Sequence, residues 1–122
     1  MKRTGKLSSL ETLLRLHGLF RQRLHPLGLS PLQASMLLYL DRYPQCEMRE
    51  IASALCIQKV SAIETVQRLQ RNGWILKPRV NATRKTVTLQ LTAHGTTLVR
   101  KVKGNIGVID KLFALANTRN AA

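Results

Sequence analysis

Apolar residues recur at a helical period through the first part of the chain. Over residues 7–24, leucines return every three or four positions among arginines, which predicts a helix with a wide apolar stripe. His25-Pro26 should end this helix, because the residue before a proline avoids the helical region. The run Ser30-Pro31-Leu32-Gln33 is a capping signature, so a second helix should start there and continue to about residue 42.

Two further helices and a change of period follow. Residues 47–55 and 59–72 have inward-facing apolar positions at helical spacing, and Gly73 suits the left-handed residue just past a helix end. The turn Cys56-Ile57-Gln58 separates these two helices. A tight turn between short helices is typical of a DNA-binding helix pair.

After Gly73 the apolar period becomes two. Residues 74–77 and 86–91 predict two strands, with the turn at 80–83. Pro78 marks an edge or a bulge, since it cannot donate to a strand ladder. Thr92 should cap a last helix that runs to about residue 116 and carries a second apolar seam.

This order of elements predicts a mainly α fold with a small β-wing, namely a winged helix-turn-helix flanked by N- and C-terminal dimerisation helices. The expected divisions are a dimerisation helix over 7–27, a DNA-binding domain over 29–92 and a second dimerisation helix over 93–116. A domain this small cannot cover the apolar stripes of both terminal helices, so a second subunit is their natural cover. The alternative is a monomer whose terminal helices pack on each other.

The charge of the chain indicates what kind of partner it binds. The chain has 20 Lys and Arg against 6 Asp and Glu, a net charge of +14. Between Glu64 and Asp110 there are nine basic residues and no acid, and this acid-free run contains the predicted hairpin. Such a surface attracts phosphates. Double-stranded DNA is therefore the expected partner, ahead of an anionic membrane surface.

Other classes find little support in the sequence. No apolar run approaches the roughly 20 residues of a membrane span, and the N-terminus lacks a signal-peptide core, so we expect a cytoplasmic protein with no membrane partner. Cys46 and Cys56 lack zinc spacing and are interpreted as packing residues, with a redox switch as the alternative. With no catalytic set, phosphate loop or clustered histidines, we predict no enzyme activity, cofactor or metal.

Four segments in this order and spacing resemble the MarR family of bacterial transcription regulators. They are Leu29-Ser30-Pro31-Leu32-Gln33, Glu50-Ile51-Ala52, Leu69 with Gly73, and Leu91-Thr92-Ala93-His94-Gly95. The resemblance implies a homodimer with intertwined terminal helices, recognition helices in the major groove and wings in the minor groove. Members of that family often bind a small aromatic acid or another effector, and nothing in the sequence identifies such a ligand.

On the fourth helix, the positions left outside the buried set are the expected base readers. Lys59 can donate to a guanine edge or a phosphate, Gln67 can pair with adenine, and Ser61 near the helix N-terminus suits a phosphate. The full set of predicted DNA-binding residues is Gln58, Lys59, Ser61, Glu64, Gln67, Arg68, Arg79, Arg84 and Lys85.

The chain also departs from the family pattern. Val60, Ile63 and Glu64 stand where the family usually has serine and threonine; apolar groups can pack on thymine methyls, and glutamate can accept from cytosine. In the wing, Thr83 and Lys85 replace the usual aspartate and arginine, so Arg84 is the candidate for minor-groove insertion.

The favoured function is a dimeric, sequence-specific transcription regulator of MarR type. The departures leave two alternatives open: an architectural DNA binder of weak specificity, and a winged helix that docks a protein through its apolar recognition face.

Overall fold

The computed structural model describes the backbone of residues 5–120 and the side chains of residues 5–113. Within that range, helices dominate and one short antiparallel hairpin is present. In chain order the elements are α1 (Ser9–Leu24), a 3-10 turn (His25–Leu27), α2 (Pro31–Arg42), α3 (Met48–Ala54), α4 (Lys59–Arg71), β1 (Arg79–Asn81), β2 (Thr86–Thr88) and α5 (Ala93–Asn120). The predicted fold class, mainly α with a β-wing, is confirmed.

Helix ends follow the capping chemistry in the sequence. The Ser30 hydroxyl accepts from the Gln33 amide at 3.1 Å, and the Gln33 side chain accepts from the Ser30 amide at 3.0 Å. Ser8 and Glu11 repeat this reciprocal box at the start of α1, where the hydrogen bond from the Ser8 amide lowers the pKa of Glu11. Gly73 follows α4 with φ 77°, a left-handed conformation that glycine adopts without a Cβ penalty.

One core joins the helices to the base of the wing. It contains side chains from every helix and from the segments before and after the hairpin. The largest fully buried members are Met36, Leu37, Leu40, Ile51, Val66, Leu69, Leu89, Val99 and Val102. Three of these residues belong to α2, which packs against α1, α4 and α5.

The wing differs from the prediction. Residues 74–77 do not form the first strand; β1 lies at Arg79–Asn81 and pairs antiparallel with β2, with Val80 opposite Val87. The turn accordingly lies at 82–85. Among residues 74–77, only Ile75 forms an isolated β-bridge, and its partner is Leu91. Pro78 separates the two pairings, since a proline has no amide hydrogen to continue the ladder.

Helix α5 packs against α1 and α2 and extends to Asn120, beyond the predicted end at residue 116. No glycine or proline occurs between these positions to stop it. The Lys103 ammonium contacts Asp41 at 3.0 Å, and the Asn105 amide donates to the Arg23 carbonyl at 3.1 Å. These polar contacts fix the register of α5 on the neighbouring helices.

Packing of α1 on α5 still leaves apolar side chains in solvent. We call the set Leu10, Leu13, Leu14, Leu112 and Phe113 the terminal apolar face; each is more than half exposed. Leu13 and Phe113 line a shared cleft of about 310 Å³, which shows that the start of α1 lies beside the end region of α5. The two terminal helices therefore contact each other without covering their stripes.

Candidate nucleic-acid interface

A helix-turn-helix forms from α3 and α4. The turn between them is closed by the Ile57 amide, which donates to the Ala52 carbonyl at 3.0 Å, while Cys56 adopts a left-handed φ of 54°. Ile51 buries α3 against the core. The Tyr39 hydroxyl of α2 donates to Glu50 at 2.9 Å, a bond that raises the pKa of Tyr39 to about 12. Side-chain contacts thus fix the short helix that precedes α4.

Helix α4 has one buried and one exposed face. Ala62, Thr65, Val66 and Leu69 are buried and hold it against the core. The exposed residues from its N-cap to its last residue are Gln58, Lys59, Val60, Glu64, Gln67, Arg68, Gln70 and Arg71. With one face fully committed to packing, the other is left free to meet a partner.

Two residues on this side of α4, the predicted DNA-binding residue Ser61 and the apolar Ile63, are less accessible than the rest. Ser61 and Ile63 are half-buried. The Ser61 carbonyl accepts a 2.7 Å hydrogen bond from the Thr65 hydroxyl, a contact that stays within the helix. Val60 is consequently the apolar residue that stands furthest into solvent on the exposed side of α4, with 64% of its surface accessible.

The wing presents its basic residues outward. Arg79, Arg84 and Lys85 are all exposed. The Asn81 side chain accepts from the Arg84 amide at 3.1 Å and organises the turn, and Lys85 has a left-handed φ of 54°. At the wing base, the Leu89 amide donates to the Cys46 carbonyl at 2.9 Å. The hairpin is thus attached to the segment that precedes α3.

An open cleft of about 790 Å³ lies between α3, the start of α4 and the wing. Three predicted residues meet there: Gln58 and Lys59 from α4, and Lys85 from the wing. The other predicted residues, Ser61, Glu64, Gln67, Arg68, Arg79 and Arg84, do not line it. The structure therefore brings the wing beside the N-terminal end of α4.

Sequence reasoning missed Arg49 and Thr86, which also line this cleft. Arg49 is exposed on α3 and contacts Glu47 at 3.2 Å. Its basic charge and its place in the first turn of α3 were visible in the sequence. Its position opposite the wing was not, because it depends on how the hairpin folds back.

The cysteines have different environments. Cys46 is buried, and burial raises the pKa of its thiol to about 11, whereas Cys56 is exposed and lines the cleft. The packing interpretation therefore fits Cys46 and is wrong for Cys56. Over the residues described, His, Cys, Asp and Glu form no group of three that could hold a metal ion. None of the described helices is long and apolar enough to cross a membrane.

Comparison with known proteins places the fold. No protein-family model matches the sequence, and no curated protein matches it significantly. Solved structures do match. The repressor CouR bound to a 23-mer DNA duplex is 25% identical over 98% of this chain and 93% of its own, with a TM-score of 0.77.

Two structures of lower sequence identity have the same fold. A MarR family regulator from Rhodococcus sp. RHA1 is 15% identical, with a TM-score of 0.79 over 91% of this chain and 84% of its own. A mutant MarR from E. coli, complexed with operator DNA, is 19% identical, with a TM-score of 0.72 over 80% of this chain and 69% of its own. The chain therefore has the winged helix-turn-helix fold of MarR-type transcription regulators.

Proposed function

We propose that this protein is a dimeric, sequence-specific regulator of transcription that binds double-stranded DNA. One observation carries the proposal: the N-terminal end of α4 and the wing meet at one cleft, with Lys59 and Lys85 on its two sides. Both elements lie in or beside the acid-free run. A basic surface with an exposed helix beside a hairpin has the shape and charge to seat a duplex.

Helix α4 would enter the major groove with its N-terminal end foremost. Lys59 would donate to a guanine edge or a phosphate, and Gln67 would pair with adenine. Glu64 would accept from a cytosine amino group, while Gln58, Ser61 and Arg68 would complete the polar contacts of the helix with bases and phosphates. The exposure of all of these except half-buried Ser61 supports this assignment.

The wing would follow the backbone into the adjacent minor groove. Arg84, at the organised turn, is our choice for the inserted side chain, because its planar guanidinium is less strongly hydrated than an ammonium. Arg79 and Lys85 would neutralise neighbouring phosphates.

A second copy of the chain would cover the terminal apolar face. Five large, exposed apolar side chains at the ends of α1 and α5 are unusual for a soluble monomer. A two-fold dimer would bury them and would present two recognition helices to an inverted repeat. The effector implied by the family resemblance stays a prediction.

The decisive test is selection from a random duplex pool at about 150 mM salt, a physiological ionic strength, with the mass of the bound species measured in parallel. An inverted repeat bound by a dimer is the expected result. Uniform recovery without a motif would favour an architectural binder. If no duplex binds at all, the protein-docking alternative would be favoured.

A further inference from the structure

Val60 is an exposed apolar residue on a face that otherwise carries polar and charged groups. Its side chain is 64% exposed and contributes little to the core, which α4 contacts through its opposite face. The neighbouring Ile63 is half-buried and is therefore less accessible to a partner. Val60 is thus the apolar residue of this face that is open to contact and has no role in the core.

The position of Val60 is that of a reading residue. It is the second residue of α4, next to Lys59, which lines the cleft shared with the wing. Val60, Glu64 and Gln67 follow at intervals of four and three, so they form one stripe along the exposed face. Recognition helices contact base edges with their N-terminal residues.

The charges around the stripe identify which part of DNA it faces. Glu64 is exposed within a strongly basic surface, and its carboxylate would be repelled by backbone phosphates. The stripe that contains Glu64 and Val60 is therefore better placed against base edges, with the surrounding lysines and arginines on the phosphates.

We propose that Val60 packs on the C5 methyl of a thymine in the major groove and so specifies thymine at one position of each half-site. This inference rests on the proposed function. Valine cannot hydrogen-bond, and the thymine methyl is the apolar group that base pairs offer at the major-groove edge. The β-branched side chain is also stiff at χ1, which holds its methyl groups in place.

Replacement of single thymines by deoxyuridine in the selected duplex removes the methyl and changes nothing else. At one position of each half-site, replacing the single thymine should weaken binding of the wild-type protein about fourfold. This is the change expected when one methyl-sized group is no longer buried. Val60→Ala should bind the thymine and uracil duplexes equally at that position. Val60→Thr, which keeps one methyl on the same frame, should retain part of the difference.

Val80→Ala is the matched control. Val80 is also an exposed valine, 69% accessible, but it lies on β1 of the wing, away from the major-groove helix. This variant should discriminate thymine from uracil as the wild type does. Circular dichroism should show both alanine variants folded, since neither residue is buried.

The outcomes separate the two proposals. If wild type ignores every thymine-to-uracil change, or if Val60→Ala discriminates like wild type, the role of Val60 is refuted while specific DNA binding stands. If no duplex is enriched by selection, the proposed function fails and the role of Val60 fails with it.

Discussion

The start of α5 lies directly against the carbonyl oxygen of Trp74, and Gly95 is what allows this approach. A Cβ built on Gly95 would overlap the Trp74 carbonyl oxygen well inside van der Waals contact. The Thr92 hydroxyl donates to the Gly73 carbonyl at 2.6 Å and accepts from the Gly95 amide at 3.0 Å, which locks the helix start onto the same segment. This contact joins α5 to the chain that leads into the wing.

Gly95→Ala should therefore destabilise the protein. Because the overlapping atom is backbone, the helix start must shift, and overpacking of this kind lowers the free energy of unfolding by about 1–3 kcal/mol. Urea denaturation measures the loss. Gly104→Ala in the same helix has open space around it and should be neutral or stabilise by up to about 1 kcal/mol. Equal stability of the two variants would contradict the packing described here.

Much of the fold was predictable because its signals are local. Ser30 with Gln33 and Gly73 mark helix ends through local chemistry, and α1 to α4 end close to their predicted positions. The reason expected at His25-Pro26 was wrong: His25 keeps a helical conformation and the chain continues as a 3-10 turn, which Gly28 ends with a left-handed φ of 71°. The hairpin register was not predictable in this way. It depends on pairing between Arg79–Asn81 and Thr86–Thr88, and the alternation over 74–77 arises instead from Ile75 packing in the core beside Leu91.

The candidate site shows the same division. A helical period separated exposed Gln67 and Lys59 from buried Val66 and Leu69. The cleft formed by Lys59, Lys85 and Arg49 depends on three segments meeting in space, which one sequence does not encode at short range. The need for glycine at position 95 was not predictable either, because it comes from the carbonyl oxygen of Trp74 in another segment.

Removal of the α2 cap should have a measurable cost. Ser30→Ala deletes the hydroxyl that accepts from the Gln33 amide, so the free energy of unfolding should fall by about 1 kcal/mol. Ser53→Ala, on exposed α3 surface, should change it little or raise it slightly through higher helix propensity. Thermal unfolding of both variants tests this, and a smaller loss for Ser30→Ala than for Ser53→Ala would count against the cap.

The two thiols should differ in reactivity. At pH 8 the Cys46 thiol, with its pKa raised by burial to about 11, is protonated and inaccessible, whereas Cys56 is exposed. Because the thiolate is the reactive form, a disulfide reagent should modify Cys56 quickly in the folded protein and Cys46 only when the protein unfolds. Cys56→Ser should abolish the fast phase. Two fast phases in the folded protein would show that Cys46 is not buried.

Loss of either cleft lysine should weaken DNA binding through phosphate contacts. Lys59→Ala and Lys85→Ala should each make the plot of log affinity against log salt less steep by about two, one for each copy of the lysine in the proposed dimer. Lys6→Ala, outside the acid-free run and the cleft, is the control and should leave the slope unchanged. Fluorescence anisotropy at four salt concentrations measures the slopes. Equal slopes for all three variants would show that neither cleft lysine contacts DNA phosphates.

A charge on the terminal apolar face should prevent dimerisation. Leu13 is 62% exposed and shares a cleft with Phe113, so Leu13→Glu would place a carboxylate in the proposed subunit contact. Sedimentation velocity should show a dimer for wild type and a monomer for this variant. Leu76→Glu, at a 47% exposed leucine near the wing, should stay dimeric. A wild-type monomer at micromolar concentration would refute the dimer.

The central claim, specific recognition of duplex DNA by a dimer, is tested most directly by a ratio of affinities. Dissociation constants are measured for the selected duplex and for a scrambled duplex of the same composition, both at about 150 mM salt. We expect the selected duplex to bind at least about a thousandfold more tightly, the lower end of the range for specific DNA-binding proteins. A ratio near one would contradict the claim, because it would leave charge attraction alone to account for binding.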